Sequence, residues 1–95
     1  MEININYLYN NGFKNIIDIR SNDLYNLGSI PNSINIPKRI LLLNPELYLK
    51  KDTNYYLYCD NGTSSKKVSN AHNELGYNTY SIKGGYLEYK NKKAS

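Results

Sequence analysis

The residues best suited to chemistry in this sequence lie in one segment, Cys59-Asp60-Asn61-Gly62-Thr63-Ser64-Ser65, which holds the chain's only cysteine. That cysteine follows the apolar run Tyr55-Tyr56-Leu57-Tyr58 and leads into a stretch with helical spacing. A strand that delivers a thiol into a short Gly/Ser loop at a helix N-terminus surrounds the sulfur with backbone N–H groups. The helix dipole adds about half a positive charge there. Such surroundings lower a thiol pKa from about 8.5 into the range of about 3.5–7.5, and the thiolate is the nucleophile. The competing reading of a lone free cysteine is a small buried hydrophobe. The loop argues against it, because an inert thiol has no need of a segment rich in donors. Gly62 is placed for the positive φ that turns successive amides inward. Ser64 or Ser65 suits the helix N-cap; capping uses one serine and leaves a hydroxyl for substrate.

Positioning that loop requires strands and a helix around it. Residues 15–19, 33–36, 55–58 and 78–82 read as buried strands, the last closed by Gly84-Gly85. Residues 64–75 read as a helix, with Val68, Ala71, His72 and Leu75 on one side and Gly76 just past its end. A short amphipathic segment, residues 86–90, ends the pattern. Strands alternating with helices predict an α/β fold with a largely parallel sheet. In such sheets ligands bind beyond the carboxyl ends of the strands. Cys59, Arg20 and Lys83 each follow a strand there, so all three are candidates for one crevice. Asp18 and Arg20 share a strand face, which suits a local ion pair. For Arg20 two roles stay open, bracing the loop and holding an anionic substrate. Lys66 and Lys67 fall in the first helical turn and read as solvated. His72, on the apolar side, reads as a packed histidine.

Composition bounds the rest. Ninety-five residues make one domain, 1–95, with a modest core that buries about 60–65% of the unfolded surface. A single cysteine makes no internal disulfide, and no cysteine–histidine spacing suits zinc. The N-terminal residues lack the basic and apolar regions of a signal peptide, and the longest apolar run, Ile40-Leu41-Leu42-Leu43, is too short for a membrane span. The expectation is a cytoplasmic monomer whose free thiol stays reduced. The net charge of +4 favours anionic partners mildly. Nucleic acid is disfavoured, since the basic residues are not interleaved with aromatics on one face.

In order along the chain, Asp18-Ile19-Arg20, Tyr25-x-x-Gly28-Ser29-Ile30-Pro31-Asn32-Ser33, Asn35-Ile36-Pro37, Cys59-x-x-Gly62-x-Ser64-Ser65 and Gly76-Tyr77 through Gly84-Gly85 resemble the signatures of rhodanese domains. The resemblance covers about residues 14–90. It implies a five-stranded, mainly parallel sheet flanked by helices, and ping-pong sulfur transfer. Cys59 would take a sulfane sulfur from thiosulfate or a persulfide donor and pass it to a thiol, a protein acceptor or cyanide. That chemistry needs no metal and no cofactor. It makes Cys59 the catalytic residue and Asp60, Asn61, Gly62, Thr63, Ser64, Ser65 and Arg20 the substrate-binding set. The six-residue loop from Cys59 to Ser64 matches the length tied to sulfur transfer. Related phosphatases and arsenate reductases use a loop one residue longer, closed by an arginine, and this chain has no arginine after residue 39.

The sequence also departs from the family pattern. Ser29 stands where many relatives carry His, Asn32 where they carry Gly, Leu24 where an acidic residue is usual, and Tyr89 where Trp is common. Asp60 sets a negative charge beside the thiol, which opposes thiosulfate and favours a persulfide donor. The same residue motivates an alternative, a rhodanese-fold interaction module with little or no turnover.

Overall fold

The computed structural model describes residues 1–94. Along the chain run β1 (Glu2–Ile3), α1 (Ile5–Asn11), β2 (Ile16–Asp18), α2 (Asn22–Leu27), β3 (Ile34–Asn35), α3 (Lys38–Leu43), α4 (Pro45–Tyr48), β4 (Asn54–Tyr58), α5 (Thr63–Glu74), β5 (Asn78–Ile82) and α6 (Gly85–Ala94). The strands form one sheet in the order β1-β5-β4-β2-β3. Every pairing is parallel, with Ile17 opposite Leu57 and Leu57 opposite Ser81 at its centre. The four strands expected from the sequence are present, but β3, read as buried, is a two-residue edge strand with Ile34 exposed; the fifth strand is β1, two residues at the other edge.

Side-chain alternation divides the core between the two sheet faces. Ile17, Ile19, Leu57 and Cys59 join Leu41, Leu49, Val68 and Tyr77 in one cluster. Ile16, Tyr56 and Tyr58 join Ile5, Leu8, Ile30, Ile82 and Tyr89 in the other. A sheet covered on both faces explains why its central strands read as continuous apolar runs. Leu57 is fully buried at the middle, and that burial alone contributes about 1.5–3 kcal/mol.

Helix α5 ends as its sequence implies. Gly76 has φ +94°, the Tyr77 N–H reaches the His72 carbonyl (3.1 Å), and the Gly76 N–H reaches that of Asn73 (3.1 Å). These are the paired bonds of a Schellman motif. Its start differs from the expectation that Ser64 or Ser65 caps it. The N-cap is Gly62 in the left-handed region, with no side-chain capping bond, and the helix begins one residue earlier, at Thr63. Asn61 takes over instead, its Oδ1 accepting the Thr63 N–H at 3.0 Å. Helices α1 to α4 have four to seven residues each, and at most two residues in any of them are buried. In α3 the run Ile40-Leu41-Leu42-Leu43 buries only Leu41. Among the described residues no helix is long and apolar enough to cross a membrane.

A buried tyrosine fixes the loop before β3. The Tyr58 hydroxyl accepts the Ile30 N–H (3.0 Å) and lies 3.1 Å from Ser33 Oγ. The Ser33 hydroxyl is also within 2.7 Å of the Ile30 carbonyl, so the same loop is held from two sides. Asn32 has φ +64°, a conformation that Asn tolerates better than most residues. Replacing Tyr58 by Phe leaves the buried Ile30 N–H without its acceptor. Urea unfolding of Tyr58→Phe should show a loss of about 1–3 kcal/mol.

Candidate functional site

Cys59 follows β4 at the carboxyl end of the sheet and is 7% exposed. Its sulfur accepts the N–H of Gly62 at 3.1 Å and that of Ser65 at 3.4 Å, and lies 3.5 Å from Ser65 Oγ. The loop turns its amides inward because its carbonyls are held from outside. At the start of α6, the Tyr86 N–H donates to the Cys59 carbonyl (2.9 Å) and the Leu87 N–H to that of Asp60 (3.0 Å). This approach requires Gly85, which has φ +58°; a Cβ there would meet the Cys59 carbonyl oxygen at 2.4 Å. Burial alone would raise the thiol pKa. The Ser65 hydroxyl and the N–H groups of Ser65, Asn61 and Gly62 outweigh it, so the pKa falls below its ordinary value.

Arg20 reaches across from the end of β2. Its Nε lies 3.1 Å from both Asp18 carboxylate oxygens, and its Nη2 donates to Asp18 Oδ2 (2.7 Å) and to the Gly28 carbonyl (2.6 Å). Its Nη1 is 3.4 Å from Asp60 Oδ1. The guanidinium stacks 4.3 Å from the centre of the Tyr86 ring. Asp18 is fully buried and also takes the Arg20 backbone N–H at 2.8 Å. Burial opposes the Arg20 charge, but the hydrogen bonds and charge of Asp18 outweigh it and keep the group cationic. Of the two roles left open by the sequence, the hydrogen bonds describe bracing. Arg20 ties the end of β2, the Gly28 segment and the Asp60 side of the loop together.

Above the thiol lies a cavity of about 250 Å³, with Cys59, Arg20, Leu24, Lys38, Asp60 and Ser64 among its walls. Lys83 is not in it. It lines a separate cavity of about 860 Å³ with Asn61, Gly62, Thr63, Lys66 and Lys67. The crevice expected to gather Cys59, Arg20 and Lys83 therefore gathers only the first two, and the loop stands between them and Lys83. Ser65 is fully buried behind the thiol. The cation that sequence reasoning missed is Lys38, the first residue of α3. It follows β3 at the same end of the sheet, so the carboxyl-end rule applied to that strand would have found it. Lys66 pairs with Glu2 at 3.7 Å. His72 is packed, its ring nitrogens 2.9 Å from the Val68 carbonyl and 3.3 Å from that of Leu41. Among the described residues no group of three or more His, Cys, Asp or Glu side chains is placed to hold a metal ion.

Comparison with known proteins places this site in a family. The profile of the rhodanese-like domain matches residues 5–92. The chain belongs to that family. A rhodanese-related protein of Thermoplasma volcanium superposes with a TM-score of 0.86 at 31% identity, covering 96% of this chain and 91% of that one. Two curated relatives are larger. The tRNA uridine(34) hydroxylase of Photorhabdus laumondii is 28% identical over 94 residues, 93% of this rhodanese-like chain and 27% of its own length. The adenylyltransferase and sulfurtransferase uba4 of Ogataea parapolymorpha is 31% identical over 75 residues, 78% of this chain and 19% of its own length. The chain thus spans about a quarter and a fifth of these relatives.

Three measurements follow from the site. Iodoacetamide should modify Cys59 with a half-maximal rate below the ordinary thiol midpoint of about pH 8.5, because only the thiolate reacts and the native state favours it. The same depression makes Cys59 add stability as pH rises above its native pKa, an increment that is lost as pH falls through that value and that Cys59→Ala lacks. For the brace, Arg20→Leu strands a fully buried carboxylate. Chemical denaturation should register about 3–5 kcal/mol of lost stability.

Proposed function

We propose that this protein transfers a sulfane sulfur through a persulfide on Cys59. The observation that carries the reading is the pair of N–H groups, from Gly62 and Ser65, directed at the Cys59 sulfur at 3.1 and 3.4 Å. In the first half-reaction the Cys59 thiolate attacks the outer sulfur of a donor such as thiosulfate. The Cys59–sulfur bond forms as the donor's sulfur–sulfur bond breaks, and sulfite leaves with that electron pair. In the second, a thiolate or cyanide attacks the terminal persulfide sulfur and restores the Cys59 thiolate. Electrons balance within each displacement, and no outside oxidant or reductant enters.

The site's charges bear on the donor. Asp60, whose side chain is 68% exposed, sets a carboxylate at the mouth, but it lies 3.4 Å from the Arg20 guanidinium. Lys38 adds a second cation to the same walls. A small anionic sulfur donor is compatible with that balance, and a persulfide donor tolerates the carboxylate better. Cys59 is the catalytic residue in this reading. The loop amides and the Ser64 and Ser65 hydroxyls hold the sulfur, while Asp60 and Arg20 shape the approach. The protein works as a monomer in the reducing cytoplasm, with a thiol or protein acceptor.

Intact mass after incubation with thiosulfate, without reductant, tests the proposal. Wild type should gain one sulfur that cyanide or a thiol removes, and Cys59→Ala, still folded, should gain none. The incubation is repeated with a persulfide donor. If folded, reduced wild type takes sulfur from neither, catalysis is excluded and the fold acts as a binding module.

A further inference from the structure

We propose that Ser81 is a positioning residue for Cys59, its hydroxyl deciding whether the Ser65 hydroxyl points at the sulfur. Ser81 lies on β5, outside the loop, and both serines are fully buried. They line neither of the two cavities beside the loop. The charged side chains that face the thiol cavity are Arg20, Lys38 and Asp60, and the hydrogen bonds of this pair go to other partners.

The argument is a count of protons. Ser65 Oγ has one proton and three acceptors within reach: Ser81 Oγ at 2.7 Å, the Gly62 carbonyl at 3.3 Å and the Cys59 sulfur at 3.5 Å. Ser81 also has one proton, and its acceptors are Ser65 Oγ and the Gly62 carbonyl, the latter at 3.5 Å. The Gly62 carbonyl already accepts the Lys66 N–H of the first helical turn at 3.2 Å, so it does not depend on either serine.

When Cys59 is a thiol, its S–H donates to Ser65, Ser65 to Ser81, and Ser81 to the Gly62 carbonyl. Every proton then has an acceptor. When Cys59 gives its proton to solvent, the chain reverses. Ser81 donates to Ser65, and Ser65 donates to the thiolate. The closest contact of the set, 2.7 Å between the hydroxyls, is kept in both states with donor and acceptor exchanged. Without Ser81, Ser65 loses the hydroxyl that donates to it in the thiolate state, and with it the polarisation that strengthens its own charge-assisted bond to the sulfur.

A matched control lies in the same two elements. Ser69 on α5 and Thr79 on β5 also form a buried hydroxyl pair, 2.9 Å apart, with Ser69 donating to the Thr79 carbonyl at 2.9 Å. Neither serves Cys59. Removing the Ser69 hydroxyl therefore costs buried hydrogen bonds between α5 and β5 without touching the relay.

The test is the pH profile of Cys59 alkylation by iodoacetamide, which needs no sulfur donor. The proposal rests on the thiolate reading of Cys59, so failure of sulfur transfer with intact alkylation would leave it standing. Ser81→Ala should raise the midpoint by about half a pH unit and lower the rate at acidic pH about threefold. In a Ser65→Ala background the same substitution should change nothing, and Ser69→Ala should leave the wild-type midpoint in place. An unshifted midpoint in Ser81→Ala, or an equal shift in the Ser65→Ala background, overturns the proposal. The unmodified protein gives a second reading that does not depend on a variant folding. The ¹³Cβ resonance of Ser81 should titrate with the Cys59 midpoint while that of Ser69 does not. A Ser81 resonance that stays flat through that midpoint overturns the proposal too.

Discussion

A loop that turns several N–H groups toward one sulfur must send its carbonyls the other way, and those carbonyls need donors of their own. Here the donors are the first N–H groups of α6, which hold the Cys59 and Asp60 carbonyls at 2.9 and 3.0 Å. The rest of the site depends on this clamp. Gly85 must lack a side chain because the clamp brings its backbone against the Cys59 carbonyl. Gly62 must take a left-handed turn so that the chain enters α5 with its amide still on the sulfur. Helix α6 in turn is anchored by Tyr89 in the second core cluster, so the packing of a C-terminal helix sets the geometry of a loop that precedes it by some 25 residues.

Arg20 and Asp18 work differently. A buried ion pair is weak support for stability, since desolvation offsets much of its attraction. What this pair supplies is direction. The guanidinium is planar with donors in a fixed fork, so satisfying Asp18, the Gly28 carbonyl and Asp60 at once leaves it one orientation. Its stacking on Tyr86 couples that orientation to α6. Asp60, the carboxylate that counts against an anionic donor when the sequence is read alone, is part of the same arrangement. A residue's effect on a site depends on its partner, and Asp60's partner lies 40 positions away.

That distance marks the limit of what was legible in the sequence. Strands β2, β4 and β5 and helix α5 were readable because each has enough consecutive positions to show a period, and Gly76 announced the helix end. The loop was readable because its residue types are local and contiguous. Helices α1 to α4 were not, because each buries at most two residues, too few to set a pattern. β1 has two residues and owes its conformation to its neighbour β5. Ser65 illustrates a subtler failure. Its type and place suit a helix cap, but the capping task falls to Asn61, while Ser65 turns inward to Ser81 and the sulfur. A hydroxyl has several uses within reach, and only the fold decides among them. The separation of Lys83 from the thiol cavity is of the same kind, since three strand ends on one edge of a sheet do not open into one space when a loop stands between them.

The balance at Cys59 also says what kind of thiol this is. Its burial works against the thiolate, and the groups that reverse the effect are uncharged donors in the loop and the Ser65 hydroxyl. A cation beside a sulfur acts over several ångströms and survives small movements. A hydrogen bond weakens steeply with angle and distance. The reactivity of Cys59 is therefore tied to the order of its loop, and through Gly85 and α6 to the order of the domain. Partial unfolding would restore an ordinary thiol before the sheet itself was lost, because the α6 clamp rests on fewer contacts than the central strands. In this architecture the nucleophile is made by the native backbone, and it disappears with it.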